Sequence, residues 1–219
     1  MSAWIRVAAM VVLVACAVTM AARPARAQET ATLIARVGMR NRATTHYNEV
    51  MLTHGRWTFP DVFWFDAGRS SYREIGIGVG AEIFRSKHLQ LNQTYSLSLA
   101  SGSAAHAARF FVPWSLFAIT PNPHWRAEIV YFPEIPLNDA ARIQHIFERE
   151  KVEYVAKRFK LGAGYGAYKF GERDWQHKPM LTTTLRGGHL GDLEFWLQRL
   201  PGNQVQVQAR YKVIIKLGE

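Results

Sequence analysis

The chain has 219 residues, of which 48% are hydrophobic and 20% charged, and its formal net charge is +10 at pH 7. This length accommodates one domain or at most two small ones. Because the sequence contains one cysteine, it excludes an internal disulfide framework and a metal site built from cysteines.

The first 27 residues predict an export signal. Arg6 precedes an apolar run over residues 7–22, and the run is followed by Ala25-Arg26-Ala27, the A-x-A pattern that signal peptidase reads. The apolar run of 16 residues is short for a membrane-spanning helix. We therefore expect residues 1–27 to be removed and residues 28–219 to form a single mature domain.

A lipoprotein signal is the competing interpretation, because residues 13–16 read LVAC and resemble a bacterial lipobox with Cys16 as the lipid-modified N-terminus. Cleavage after residue 27 would remove three arginines and leave 24 basic and 17 acidic residues, a net charge of +7. For an exported chain the nearby anions are lipid headgroups, lipopolysaccharide phosphates and acidic sugars, and nucleic acid is not an expected partner. An ordinary solvated excess of lysine and arginine explains the charge equally well.

Alternation with a period of two recurs along the mature chain. In residues 72–84, isoleucine and valine share one parity, whereas glutamate and glycine share the other. Residues 88–99 and 204–217 alternate in the same way, which predicts β-strands. These runs have 12 to 14 residues, whereas soluble strands cluster near about 5–6 and a tilted strand crosses a bilayer in about 9–11.

Short turn signals at residues 85–87, 120–123 and 201–203 join successive runs as in an antiparallel meander. Residues 138–151 fit either a short helix over 140–150 or a strand over 142–147. The strand is favoured, because it places the first two turns at the same end as both termini. The total is then about 12 strands, with 8 or 10 as alternatives. The remaining strands are placed near 32–40, 46–53, 56–66, 108–119, 124–132, 152–170, 179–186 and 192–200.

This pattern resembles the small β-barrel proteins of the Gram-negative outer membrane. The resemblance implies an all-β fold, a closed antiparallel transmembrane β-barrel, surrounded by outer-membrane lipid and lipopolysaccharide. Many such proteins end on an aromatic residue, whereas this chain ends in Leu217-Gly218-Glu219. A soluble exported barrel with its apolar face inward, binding a small apolar ligand, is the alternative fold. Aromatic residues expected near strand ends are Trp57, Trp64, Tyr95, Trp114, Trp125, Tyr131 and Tyr211.

The polar parity predicts a charged lumen, because charges inside a barrel need partners or water. We expect either a structural ion-pair network or a narrow, porin-like pore that favours anions, with no cofactor and no metal. Arg186 and Lys216 share this parity with the residues that we expect to line the lumen. Those residues are Glu74, Glu82, Glu128, Arg126, Arg158, Lys160, Glu194, Arg210 and Lys212.

Two glycine ladders occupy the same parity. Their G-x-G-x-G spacing differs from the G-x-G-x-x-G of dinucleotide sites, so we interpret them as places where the wall bends or is closely approached. The glycines are Gly76, Gly78, Gly80, Gly162, Gly164 and Gly166.

A lipid-modifying barrel enzyme, such as a lipid A acyl hydrolase or transferase, is the alternative function. Its candidate catalytic residues are Ser103 and His106, but the loop offers no acidic partner that would orient the histidine. His145 and Glu148 would share a face of a helix over 138–151, yet no third metal ligand is evident.

Overall fold

The computed structural model describes residues 29–40, 43–68, 72–102 and 105–217, without the side chains of Arg40, Ala105 and His106. The predicted export segment 1–27, including Cys16, lies outside these residues. Short 3-10 helices span Gly188–Leu190 and Pro201–Asn203. Within the described ranges, no helix is long and apolar enough to cross a membrane.

The described chain forms one closed antiparallel barrel of twelve strands, and this confirms the predicted fold and strand number. Each strand pairs with its sequence neighbours, and the last strand pairs with the first from Glu29↔Leu217 to Met39↔Val207. The strands are β1 Glu29–Arg40, β2 Ala43–His54, β3 Trp57–Asp66, β4 Arg73–Arg85, β5 Leu89–Gly102, β6 Ala105–Asn122, β7 Trp125–Pro136, β8 Gln144–Val155, β9 Phe159–Phe170, β10 Gln176–Arg186, β11 Asp192–Leu200 and β12 Gln204–Leu217.

The ambiguous segment near residues 138–151 belongs mostly to β8, so the strand interpretation was right and the helix alternative was wrong. The predicted positions of the eighth and ninth strands, 142–147 and 152–170, were wrong, because a turn separates β8 from β9 at residues 156–158. The backbone N–H of Ala156 closes this turn by donating to the carbonyl of Phe159 at 2.8 Å. The turn reads Ala-Lys-Arg, which contains neither glycine nor proline and therefore gave no turn signal.

The barrel has two distinct ends. Glu29 and Leu217, the first and last described residues, lie at one end, which we call the terminal end, together with the turns at 86–88, 123–124 and 156–158. The opposite end, which we call the distal end, carries the connections at 137–143 and 171–175. The turns predicted near 85–87 and 120–123 therefore lie at the terminal end, as the strand count required.

The outer wall of the barrel is apolar. On β4, Ile75 and Ile77 are 54% and 51% exposed, whereas Glu74 on the opposite parity is 5% exposed. The orientation expected of a soluble barrel, with the apolar parity inside, is contradicted at these positions. An outward apolar face and a wall without open edges suit a hydrocarbon surrounding, where unpaired backbone groups are costly. The prediction of aromatic residues near strand ends was wrong for Tyr95, Trp114, Tyr131 and Tyr211, which lie near the middles of β5, β6, β7 and β12. Trp114 also borders the internal cavity.

The glycines on the inward parity make room for neighbouring strands. A Cβ at Gly76 would overlap the ring of Phe63 on β3. A Cβ at Gly164 of β9 would lie 2.8 Å from the carbonyl oxygen of Glu150 and 2.8 Å from the Cβ of Lys151 on β8. The β9 ladder thus lets charged β8 side chains lie directly against its backbone.

We expect Gly164→Val to lower the temperature at which the folded barrel unfolds, because the new side chain would collide with the β8 backbone. The control is Ala163→Val, which makes a similar change on the exposed outer face of the same strand. Heat-modifiable gel migration measures this temperature. An equal shift for both variants would contradict the tight contact between β8 and β9.

Candidate functional site

A cavity of about 1850 Å³ lies inside the barrel. Residues at both ends border it, with Arg85 and Arg186 near the terminal end and Tyr72 and Glu134 near the distal end. This internal space extends along the lumen between residues of both ends. The lumen is therefore the candidate functional site.

The structure places most of the predicted lumen residues on this cavity. Glu82 does not border it, because its side chain turns to the rim and pairs with Arg85 at 2.5 Å (Nη2 to Oε2). A role for any of these residues in permeation stays a prediction. The predicted residues that border the cavity are Glu74, Arg126, Glu128, Arg158, Lys160, Glu194, Arg210 and Lys212, together with Arg186.

Buried ion pairs join β7, β8 and β11 in the middle of the lumen. The Nε of Arg149 donates to Glu128 at 2.8 Å. Lys151 Nζ donates to Glu153 at 2.9 Å and to Glu194 at 2.5 Å. All of these side chains are less than one-tenth exposed, so each charge depends on its partners in place of water.

A β-bulge in β8 turns an additional charge into the lumen. Val130 pairs with Arg149 while the next residue of β7, Tyr131, pairs with Phe147, which leaves Glu148 as the extra residue. Two consecutive side chains, Glu148 and Arg149, therefore border the cavity instead of alternating between the faces.

The bulged glutamate reaches across the barrel. Glu148 forms an ion pair with Arg36 of β1, and β1 and β8 are five strand steps apart around the twelve-stranded wall. We call this contact the cross-lumen ion pair. The Trp196 ring lies beside it, with the guanidinium carbons of Arg36 and Arg149 at 5.6 Å and 5.8 Å from the ring centroid.

The sequence analysis did not predict five residues of these ion pairs, which are Arg36, Glu148, Arg149, Lys151 and Glu153. Arg149, Lys151 and Glu153 alternate with outward residues, so their parity was visible, but the misplaced boundary between β8 and β9 hid it. The inward position of Glu148 depends on the bulge, and its pairing with Arg36 depends on the curvature of the whole wall. No sequence signal gave either of these two features.

The cavity lining is richer in positive than in negative charge. Among the described residues that border it, thirteen are lysine or arginine and eight are aspartate or glutamate. Much of the excess lies near the terminal end, where the acidic residues on the lining are Glu128, Asp192 and Glu194, within the first four residues of β7 and β11. Within the described residues, Lys157, Arg158, Lys160 and Lys212 form no ion pair. The basic residues near that end are Arg85, Arg126, Lys157, Arg158, Lys160 and Arg186.

The proposed catalytic and metal sites gain no support from geometry. Ser103 lies outside the described residues, and for His106 the structure gives only its place in β6. In the part of the chain that is described, no group of three or more His, Cys, Asp or Glu side chains is placed to hold a metal ion. Catalysis by Ser103 and His106 therefore stays an untested hypothesis.

Solved structures with this architecture are outer-membrane porins and channels. The KdgM porin matches with a TM-score of 0.60 and 10% identity over 83% of this chain and 98% of its own. The NanC porin matches with 0.59 and 12% over 84% and 98%. An outer-membrane channel from Pseudomonas putida F1 matches with 0.60 and 11% over 89% and 97%. At these identities the likeness shows the fold, and it confirms the class of barrel that the sequence pattern resembled.

No protein-family model matches the sequence, and no curated protein matches it.

We expect Lys151→Met to destabilise the barrel by about 3–5 kcal/mol, because it leaves the buried carboxylates of Glu153 and Glu194 without their shared cation. Lys160→Met is the matched control, since Lys160 borders the cavity without an ion pair among the described residues. Urea unfolding of the detergent-solubilised barrel measures both changes. Equal losses would show that the Lys151 ion pairs contribute no specific stability.

Proposed function

We propose that the protein is a narrow outer-membrane channel that favours anions. The observation that carries this proposal is the excess of basic side chains on the terminal end of a cavity that contacts both ends of the barrel. Basic residues that line a pore lower the energy of an anion in it and repel cations. The low-dielectric wall strengthens this preference relative to bulk water.

The fold and its outer surface support an outer-membrane location. The architecture is that of outer-membrane porins, and isoleucine and leucine side chains face outward along the strands. One structurally similar protein, a KdgM porin, has been solved in complex with disordered oligogalacturonate, an anionic solute. This agrees with an anion as the solute here.

The topology supports an orientation as well. Barrels of the outer membrane carry short turns on the periplasmic side, and here the compact turns at 86–88, 123–124 and 156–158 lie at the terminal end. The basic terminal end would then face the periplasm, and lipopolysaccharide would surround the distal end.

We expect the double variant Arg158→Glu/Lys160→Glu to shift the reversal potential in a salt gradient towards cation selectivity, because it replaces two lumen cations by anions. Lys87→Glu/Arg56→Glu introduces the same charge change in turns of the terminal end that do not border the cavity. Planar-bilayer recording measures both. A wild-type protein that conducts at no voltage would contradict the channel, and equal shifts would contradict a selective lumen.

We expect a cysteine at Arg173 to react with a membrane-impermeant maleimide in intact cells, and a cysteine at Lys87 to react only after the outer membrane is opened. The introduced cysteine is expected to be the target of the label, because the single cysteine of the sequence is Cys16 in the predicted export segment. Labelling of Lys87→Cys alone in intact cells would show the opposite orientation.

A further inference from the structure

The cross-lumen ion pair divides the interior of the barrel. On the side of β9 to β12, Thr182, Glu194 and Trp196 are 4%, 6% and 1% exposed, and Glu194 and Trp196 border the cavity. The paired Arg36 and Glu148 side chains each keep 18% of their surface exposed and border the cavity. The ion pair therefore spans the cavity between the β1 wall and the β8 wall.

Aromatic rings line the cavity beside the ion pair. Tyr47 and Phe63 stack with their centroids 6.1 Å apart, and both border the cavity, as does Trp114. The guanidinium of Arg36 lies 4.8 Å from the centroid of the Tyr47 ring, which connects the ion pair to this aromatic wall. The ion pair and the Tyr47 ring therefore form one continuous group of side chains on the cavity lining.

The ion pair is also held in place. Arg149 contacts both Glu148 and Glu128, so the bulged carboxylate is anchored to the β7 and β8 wall. Arg36 is anchored from the other side by its contacts with Tyr47 and Trp196. Long side chains that are held by contacts on both sides move little, so the ion pair between them stays formed. A contact of this kind narrows a pore permanently.

We infer that the cross-lumen ion pair is the constriction of the channel, and that Glu148 determines both the size and the charge of the solutes that pass. This inference rests on the proposed channel function. Loss of either partner removes the bridge and widens the passage. The two losses change the charge of the lumen in opposite directions. Loss of Glu148 leaves the positive charges of Arg36 and Arg149 without this carboxylate, whereas loss of Arg36 leaves the negative charge of Glu148 without this guanidinium.

Glu148→Ala and Arg36→Met test the constriction from its two walls. Both variants raise the single-channel conductance above the wild-type value and admit larger polyethylene glycols into the pore. In a salt gradient, Glu148→Ala shifts the reversal potential towards anion selectivity, and Arg36→Met shifts it towards cation selectivity. A general loosening of the barrel would raise conductance without this opposite pair of shifts.

Glu150→Ala is the matched control. Glu150 lies two residues further along β8, pairs with Ile129 and Tyr165 on the outward parity, and does not border the cavity. We expect the Glu150→Ala variant to have the same single-channel conductance and the same reversal potential as the wild type. Heat-modifiable migration first establishes that each variant is a folded barrel, and Arg36→Met carries the test if Glu148→Ala does not fold.

The outcomes separate the two proposals. A wild-type protein without conductance overturns the channel function itself. A conducting wild type whose Glu148→Ala and Arg36→Met variants match Glu150→Ala in conductance overturns the constriction while leaving the channel intact. Increased conductance with opposite selectivity shifts supports the constriction.

Discussion

The structure depends on the requirement that every backbone N–H and C=O group within a bilayer be paired inside the protein. The antiparallel ladder between β1 and β12, from Glu29↔Leu217 to Met39↔Val207, meets it by joining the first strand to the last. Once the wall is closed, each strand has one face towards lipid and one towards the lumen. The apolar parity of β4 then has to lie outside, and its glutamate and glycines have to lie inside.

Closure also determines how the interior is stabilised. A charged side chain in the lumen needs either water or an opposite charge as its partner. The buried charges of β7, β8 and β11 are partnered by opposite charges. The Nζ of Lys151 forms ion pairs with Glu128, Glu153 and Glu194 at 3.5, 2.9 and 2.5 Å. The glycines of β9 provide the space that the β8 side chains occupy. The glycine ladder and the ion-pair network are therefore two halves of one packing arrangement.

The balance between acidic and basic side chains differs between the ion-pair network and the terminal end of the lumen. In the middle, arginine and lysine are matched by Glu128, Glu148, Glu153 and Glu194, so the network is close to neutral and rigid. At the terminal end, Lys157, Arg158, Lys160 and Arg186 border the cavity without an ion pair among the described residues, whereas Arg85 and Arg126 pair with Glu82 and Glu128. The ion-pair network and the basic residues of the terminal end are therefore two differently charged parts of one cavity lining.

The sequence by itself predicted the closed barrel and the inward parity, because a period of two is a local property that residues such as Glu74 and Ile75 display directly. It predicted about 12 strands with 8 or 10 as alternatives, and the structure has twelve. Eight of the nine charged residues assigned to the lumen border the cavity for the same reason. Only the tertiary structure decided the inward turn of Glu148, the cross-lumen contact with Arg36 and the boundary between β8 and β9. These features depend on a bulge, a glycine-free turn and the curvature of the closed wall, and such long-range geometry leaves no periodic trace in the sequence.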